Sequence, residues 1–152
     1  MSIGFSAIVA ALESHALSLG VFDKVGRHEP MNAPGNGIEA SIWVNSMEPV
    51  RMSGLNATSV CVVLNVRYVT PMMHEPQDDI DVNLMDATDV LCDAYNDDLT
   101  LDGLISWIDV FGSQGIERLR LEAGYLDVDS VTYRMYQLYV PCIVDAVWTQ
   151  AL

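Results

Sequence analysis

Between Asn56 and Thr70 the chain is rich in β-branched side chains and stays apolar at successive positions through Val60, Cys61, Val62, Val63 and Leu64. A strand sends successive side chains to opposite faces, so a run that is apolar on both must be covered on both. This predicts a central strand in a sheet, and the sheet needs a second layer to cover it.

Two helices are predicted to supply that layer. Ile8, Val9, Leu12, Ala16 and Leu19 recur at helical spacing between Ser6 and Leu19, and Gly20 closes the pattern. A turn bracketed by Pro71 and Pro76 leads to Asp78, Asp79 and Asp81, read as capping carboxylates for a helix reaching about Asn96. Within it Ile80, Leu84, Ala87, Leu91 and Ala94 form an apolar stripe, while Asp86, Asp89, Asp93 and Asp97 form an acidic one.

Further strands are read from alternation. Ile38 to Val44 puts Ile38, Ala40, Ile42 and Val44 on one face and leaves Trp43 on the outer one. Residues 20–37, broken by glycines and prolines, read as a structured loop with an extended piece near Val21 to Val25. Leu104 to Phe111, Arg118 to Leu126 and Val131 to Val140 suggest an antiparallel meander. Pro141 interrupts the last of these, which leaves Cys142 to Leu152 as an apolar C-terminal tail, containing Trp148, with no evident place in the sheet. The expected fold is a single α+β domain over residues 1–152, with a mostly antiparallel sheet of about five strands covered by two helices.

Charge narrows the function. Twenty-one acids against seven bases give a net charge of −14, and no Lys or Arg occurs between Arg67 and Arg118. Such a surface repels phosphate backbones. The three cysteines, Cys61, Cys92 and Cys142, are widely spaced among apolar neighbours, which fits reduced thiols in a cytosolic product. The N-terminus lacks the basic start of a secretory signal, and no apolar run approaches the ~20 residues that span a bilayer.

No pattern points to catalysis. His28-Glu29-Pro30 and His74-Glu75-Pro76 could form a metal site if their loops met, but the paired-histidine spacing of a zinc-protease helix is absent. The acidic helix lacks the loop signature of a calcium site, and it reads as a solvated face. Gly112-Ser113-Gln114-Gly115 is a turn rather than a nucleophile elbow, and Gly35-Asn36-Gly37 precedes a strand, the wrong side for cradling a pyrophosphate. The expectation is no catalytic, cofactor or metal residue. What remains are aromatics that one sheet and two helices cannot all cover: Trp43, Trp107, Tyr136 and Trp148, each either core or subunit contact.

A set of short motifs follows in order along the chain: His28-Glu29-Pro30 with Ala33-Pro34-Gly35-Asn36-Gly37, Leu64-Asn65-Val66-Arg67, Glu75-Pro76 with Asp78 to Asp81, and Asp109-Val110-Phe111-Gly112. Gly124-Tyr125-Leu126, Tyr133-Arg134, Val140-Pro141 and Val147-Trp148-Thr149-Gln150 complete it. In these the chain resembles, over almost its whole length, the tail terminator proteins of long-tailed, non-contractile bacteriophages, in the form found in phages of actinobacteria. The resemblance implies an α+β virion protein that forms a ring, expected to be hexameric. That ring would cap the head-proximal end of the tail tube, stop its polymerisation and meet the head connector protein. It implies no reaction, and DNA would pass through the ring without specific binding.

For such a ring, the loop residues His28, Glu29 and Pro30 with Trp43, Tyr136 and Trp148 are the candidate subunit or partner contacts. Asp86, Asp89, Asp93 and Asp97 are candidates to line the bore. Alternatives are another head-to-tail connector component such as a stopper or adaptor, an acidic DNA-mimic inhibitor, and a small metal-dependent hydrolase using the two His-Glu-Pro segments.

Overall fold

A computed structural model describes residues 3–29, 37–53, 56–72 and 77–149. The elements run α1 (Phe5–Ser18), β1 (Lys24–Gly26), β2 (Glu39–Ser53), β3 (Ala57–Pro71), α2 (Ile80–Asp97), β4 (Trp107–Ile108), β5 (Arg120–Val128) and β6 (Val131–Thr149). They form the expected single-domain α+β fold, with two helices over a curled sheet. The strand order is β1-β2-β3-β6-β4, and β5 lies beside β4 on the same edge of β6. β1 runs parallel to β2, and every other pairing is antiparallel.

β3 is central as its sequence demands. Its even-numbered apolar residues, Val60, Val62, Leu64 and Val66, join Ile8, Leu12, Leu84 and Leu91 of the helices in the main core. Its odd-numbered Cys61 and Val63 pack with Ile143 in a smaller cluster on the opposite face, against Val50, Trp107, Ile116 and Tyr139. The curl of the sheet makes that second cluster possible. It carries the Arg51 guanidinium of β2 to 5.0 Å from the Trp107 ring of β4, although β3 and β6 lie between those strands.

Both helices bury the residues their spacing selects. α1 buries Ile8, Val9, Leu12 and Ala16, and Gly20 follows it at φ +71, the left-handed conformation that ends a helix cheaply only at glycine. α2 buries Ile80, Leu84, Ala87 and Leu91 together with Thr88 and Tyr95, while Ala94 is only half-buried. The Tyr68 hydroxyl hydrogen-bonds the Thr88 hydroxyl, whose own proton goes to the Leu84 carbonyl at 2.9 Å. Burial leads the causes that push the Tyr68 phenol well above its ordinary pKa. The Asp79 side chain makes no capping bond, contrary to the reading of these acids as caps.

Three other expectations are corrected. The segment from Cys142 is not a tail: β6 continues through Pro141 to Thr149, and Cys142, Ile143 and Val144 pair with Val62, Cys61 and Val60. Leu104 to Phe111 is not a strand. Consecutive positive φ angles at Leu101, Asp102 and Gly103 turn the chain first, and only Trp107 and Ile108 join the ladder. β2 outruns its expected end at Val44 by bulging between Val44 and Ser46 and again between Pro49 and Arg51. The first bulge breaks the alternation and leaves Val44 exposed.

Candidate assembly surfaces

The acidic stripe of α2 lies opposite its buried stripe. Asp86, Asp89, Asp93 and Asp97 are all exposed, and among the described residues none meets a Lys or Arg. Four of the seven cations are engaged elsewhere: Arg27 with Glu13, Arg51 with Asp145, Arg120 with Glu117 and Glu122, and Arg134 with Asp81. The face is therefore uncompensated, and like charges three and four positions apart on a helix repel each other.

The sheet face away from the helices carries a polar mat. Asn65 Oδ1 accepts bonds of 3.1 Å from the Asn45 amide on one side and the Gln137 amide on the other, which ties β2, β3 and β6 together. Arg67 donates to Gln137 Oε1 at 2.8 and 3.0 Å and lies 4.9 Å from the Trp43 ring. Arg120 lies 4.1 Å from the Tyr139 ring in the same way. These contacts hold guanidinium groups over aromatic rings, which stiffens the face and leaves Trp43 half-buried.

The candidate contact residues separate. His28 and Glu29 are exposed just beyond β1, whereas Pro30 lies outside the described residues, as do His74, Glu75 and Pro76. Trp148 is exposed near the end of β6. Tyr136, expected among the contacts, is 4% exposed. It lies beneath α2, its ring 6.1 Å from that of Tyr68 and its hydroxyl donating to Asp81 at 3.1 Å. It belongs to the core and presents nothing to a partner. Among the described residues no group of three or more His, Cys, Asp or Glu side chains is placed to hold a metal ion, and no helix is long and apolar enough to cross a membrane.

Sequence reading missed Phe111, which is 91% exposed at the start of the turn between β4 and β5. The turn is built on Asp109, a buried carboxylate. Its Oδ1 accepts bonds of 2.8 Å from both the Ser113 amide and the Ser113 hydroxyl, and its Oδ2 accepts one of 3.0 Å from the Gln114 amide. The signal was present as an Asp followed by Gly112, Ser113 and Gly115, residues that favour a side-chain-stitched turn over a strand.

Two depressions flank α1. One, of about 830 Å³, lies between the start of the helix and Trp148 and is lined by Ile3, Phe5, Ala7 and Ala10. The other, of about 750 Å³, continues past Ala7 and Ala10 to His15, Asp98 and Asp102. His15 Nε2 lies 2.9 Å from Asp98 Oδ2, and the Asp102 amide donates to Asp98 Oδ1 at 2.9 Å. The Asp102 amide first and His15 second hold the Asp98 carboxyl below the usual carboxylate range. Asp81 is lowered as well, chiefly by Arg134.

These depressed groups bind protons less readily folded than unfolded, so their stabilisation is present above the unfolded pKa of about 4 and is lost as pH falls through the folded values. The expected result is a melting temperature that falls with acid below about pH 4, and less steeply in Asp98→Asn. Thermal melts across that range check it. A variant with the wild-type slope would show that Asp98 contributes nothing to acid sensitivity. Compared with known proteins, the sequence matches no family model and no curated protein.

Proposed function

We propose that this chain is the tail terminator subunit of a long, non-contractile phage tail. It forms a ring, expected to contain six copies, at the head-proximal end of the tail tube, where it stops tube growth and meets the head connector. The observation that carries the proposal is the uncompensated carboxylate face of α2. A channel for DNA must not hold phosphates, and Asp86, Asp89, Asp93 and Asp97 are the exposed acids suited to lining one. At physiological ionic strength fields fade over about 8 Å, so only acids at the bore would act on the DNA, whatever the net charge of the whole ring.

The role is structural, and the product belongs in the virion. Its surroundings are further copies of itself, tube protein and connector. The test is the mass of the purified protein by light scattering coupled to size exclusion, alone and with tail-tube subunits. A ring of about six copies, formed alone or on the tube, is the expected result. A monomer indifferent to tube protein would overturn the reading. A ring with all four α2 acids on its outer rim would overturn the lining role alone.

A further inference from the structure

A phenylalanine on a loose loop folds back onto whatever apolar surface is near. Phe111 is held outward instead. Gly112 and Gly115 take φ values of +70 and +77, and a Cβ at Gly112 would lie 3.2 Å from that of Arg118, so the two arms of the turn touch. The Leu119 amide closes its base by donating to the Val110 carbonyl at 3.1 Å. With Asp109 stitching the interior, the turn is ordered before any partner arrives, which removes much of the entropic cost of using Phe111 as an anchor.

We infer that Phe111 is a knob that seats in the groove between the start of α1 and Trp148 of a second copy of this chain. The groove offers an aromatic ring the right chemistry, with Ile3, Phe5, Ala7 and Trp148 in its lining. A knob cannot reach the groove of its own chain. The Asp109 amide bonds the Pro141 carbonyl, and Trp148 lies seven residues further along β6, about 20 Å of strand in the direction away from Phe111.

Charge fits the same pairing. Arg118, which touches Gly112 beside the knob, has no carboxylate partner for its guanidinium among the described residues. The groove that takes the knob has no charged side chain in its lining, and the depression that continues from it past Ala7 and Ala10 contains Asp98 and Asp102 and no Lys or Arg. A patch that meets a different patch on its neighbour propagates head to tail, and it closes into a ring when the rotation permits. The inference deepens the terminator reading and rests on it for closure, but not for the contact.

The experiment uses Phe111→Asp and Ala7→Glu, both at exposed positions, each purified alone and then mixed, with mass read by light scattering. Each variant alone is expected to lose the ring, its association weakened at least about tenfold. Each still carries one intact half, so the mixture should form a one-to-one pair of twice the 16.7 kDa subunit and nothing larger. Normal assembly of either variant, or a mixture that stays monomeric, overturns the contact and leaves the ring reading standing. A wild-type dimer sensitive to both substitutions keeps the contact and overturns the ring. A wild type that is monomeric with and without tube protein overturns both. Wild-type melting temperatures confirm that each variant is folded, and Phe111→Ser replaces the first if it is not.

Discussion

A chain ending at Pro141 is expected not to fold. The residues lost include Cys142, Ile143, Val144 and Val147, all buried. At about 1.5–3 kcal/mol for each large apolar side chain returned to water, the loss approaches the 5–15 kcal/mol that stabilises a typical domain. The backbone suffers too. Ala57, Thr58, Val60, Cys61 and Val62 lose their β6 partners, β4 loses its only neighbour in the sheet among the described residues, and the Ser106 amide loses the Ile143 carbonyl that it bonds at 2.8 Å. Asp145, whose carboxylate joins Arg51 to Ser59 across the same region, goes with them. Circular dichroism and a thermal melt of the truncated chain check this. A cooperative transition near that of the full chain would show that the second half of β6 is dispensable.

Replacing Asp109 by Ala is expected to cost about 3 kcal/mol: hydrogen bonds to a charged group contribute about 1.5–3 kcal/mol each, and water reaching the donors left behind offsets part of the sum over three. Three donors lose their acceptor at once: two amides and the Ser113 hydroxyl. Asp109→Asn should recover part of the loss. Its remaining oxygen can still serve Ser113, but its amide then faces the Gln114 N–H, donor against donor. Denaturant titration gives the stability, and limited proteolysis between Val110 and Leu119 reports the turn, which should be cut faster in Asp109→Ala. A loss below about 1 kcal/mol with unchanged proteolysis would mean that the turn is held by its glycines and not by the carboxylate.

The sheet's centre and both helices were legible because each is an unbroken pattern: two apolar faces from Val60 to Leu64, and apolar stripes from Ile8 to Ala16 and from Ile80 to Leu91. The far half of β6 was hidden by Pro141, whose missing N–H normally ends a strand. A residue's N–H and C=O point to the same side of a strand. The Pro141 carbonyl accepts from Asp109 on the outer edge, so its nitrogen faces that edge too, in the gap between the last β5 pair at Tyr139 and the first β4 pair at Cys142. No ladder bond is lost. Nothing local in the sequence records that a gap would fall there.

The candidate surfaces divide the same way. The α2 acids follow from periodicity alone, whereas the burial of Tyr136 depends on which side of β6 the second helix covers, a fact of tertiary structure. Phe111 was missed because Leu104 to Phe111 reads as an alternating strand until the chemistry of Asp109 is given precedence over hydropathy.

The place of β6 beside β3 also governs how quickly the protein can form. Their pairing joins residues that are 62 positions apart at Pro71 and Tyr133 and 92 apart at Ala57 and Thr149, so the contacts that complete the core are among the most distant in the chain. Loop closure over such spans must precede the contacts that reward it, which places folding in the slow, millisecond-to-second range of non-local β topologies. Until β6 arrives, one edge of β3 and its apolar faces stand open to any other strand, including that of a neighbouring chain. The interval before that last strand docks is when misassembly competes with folding.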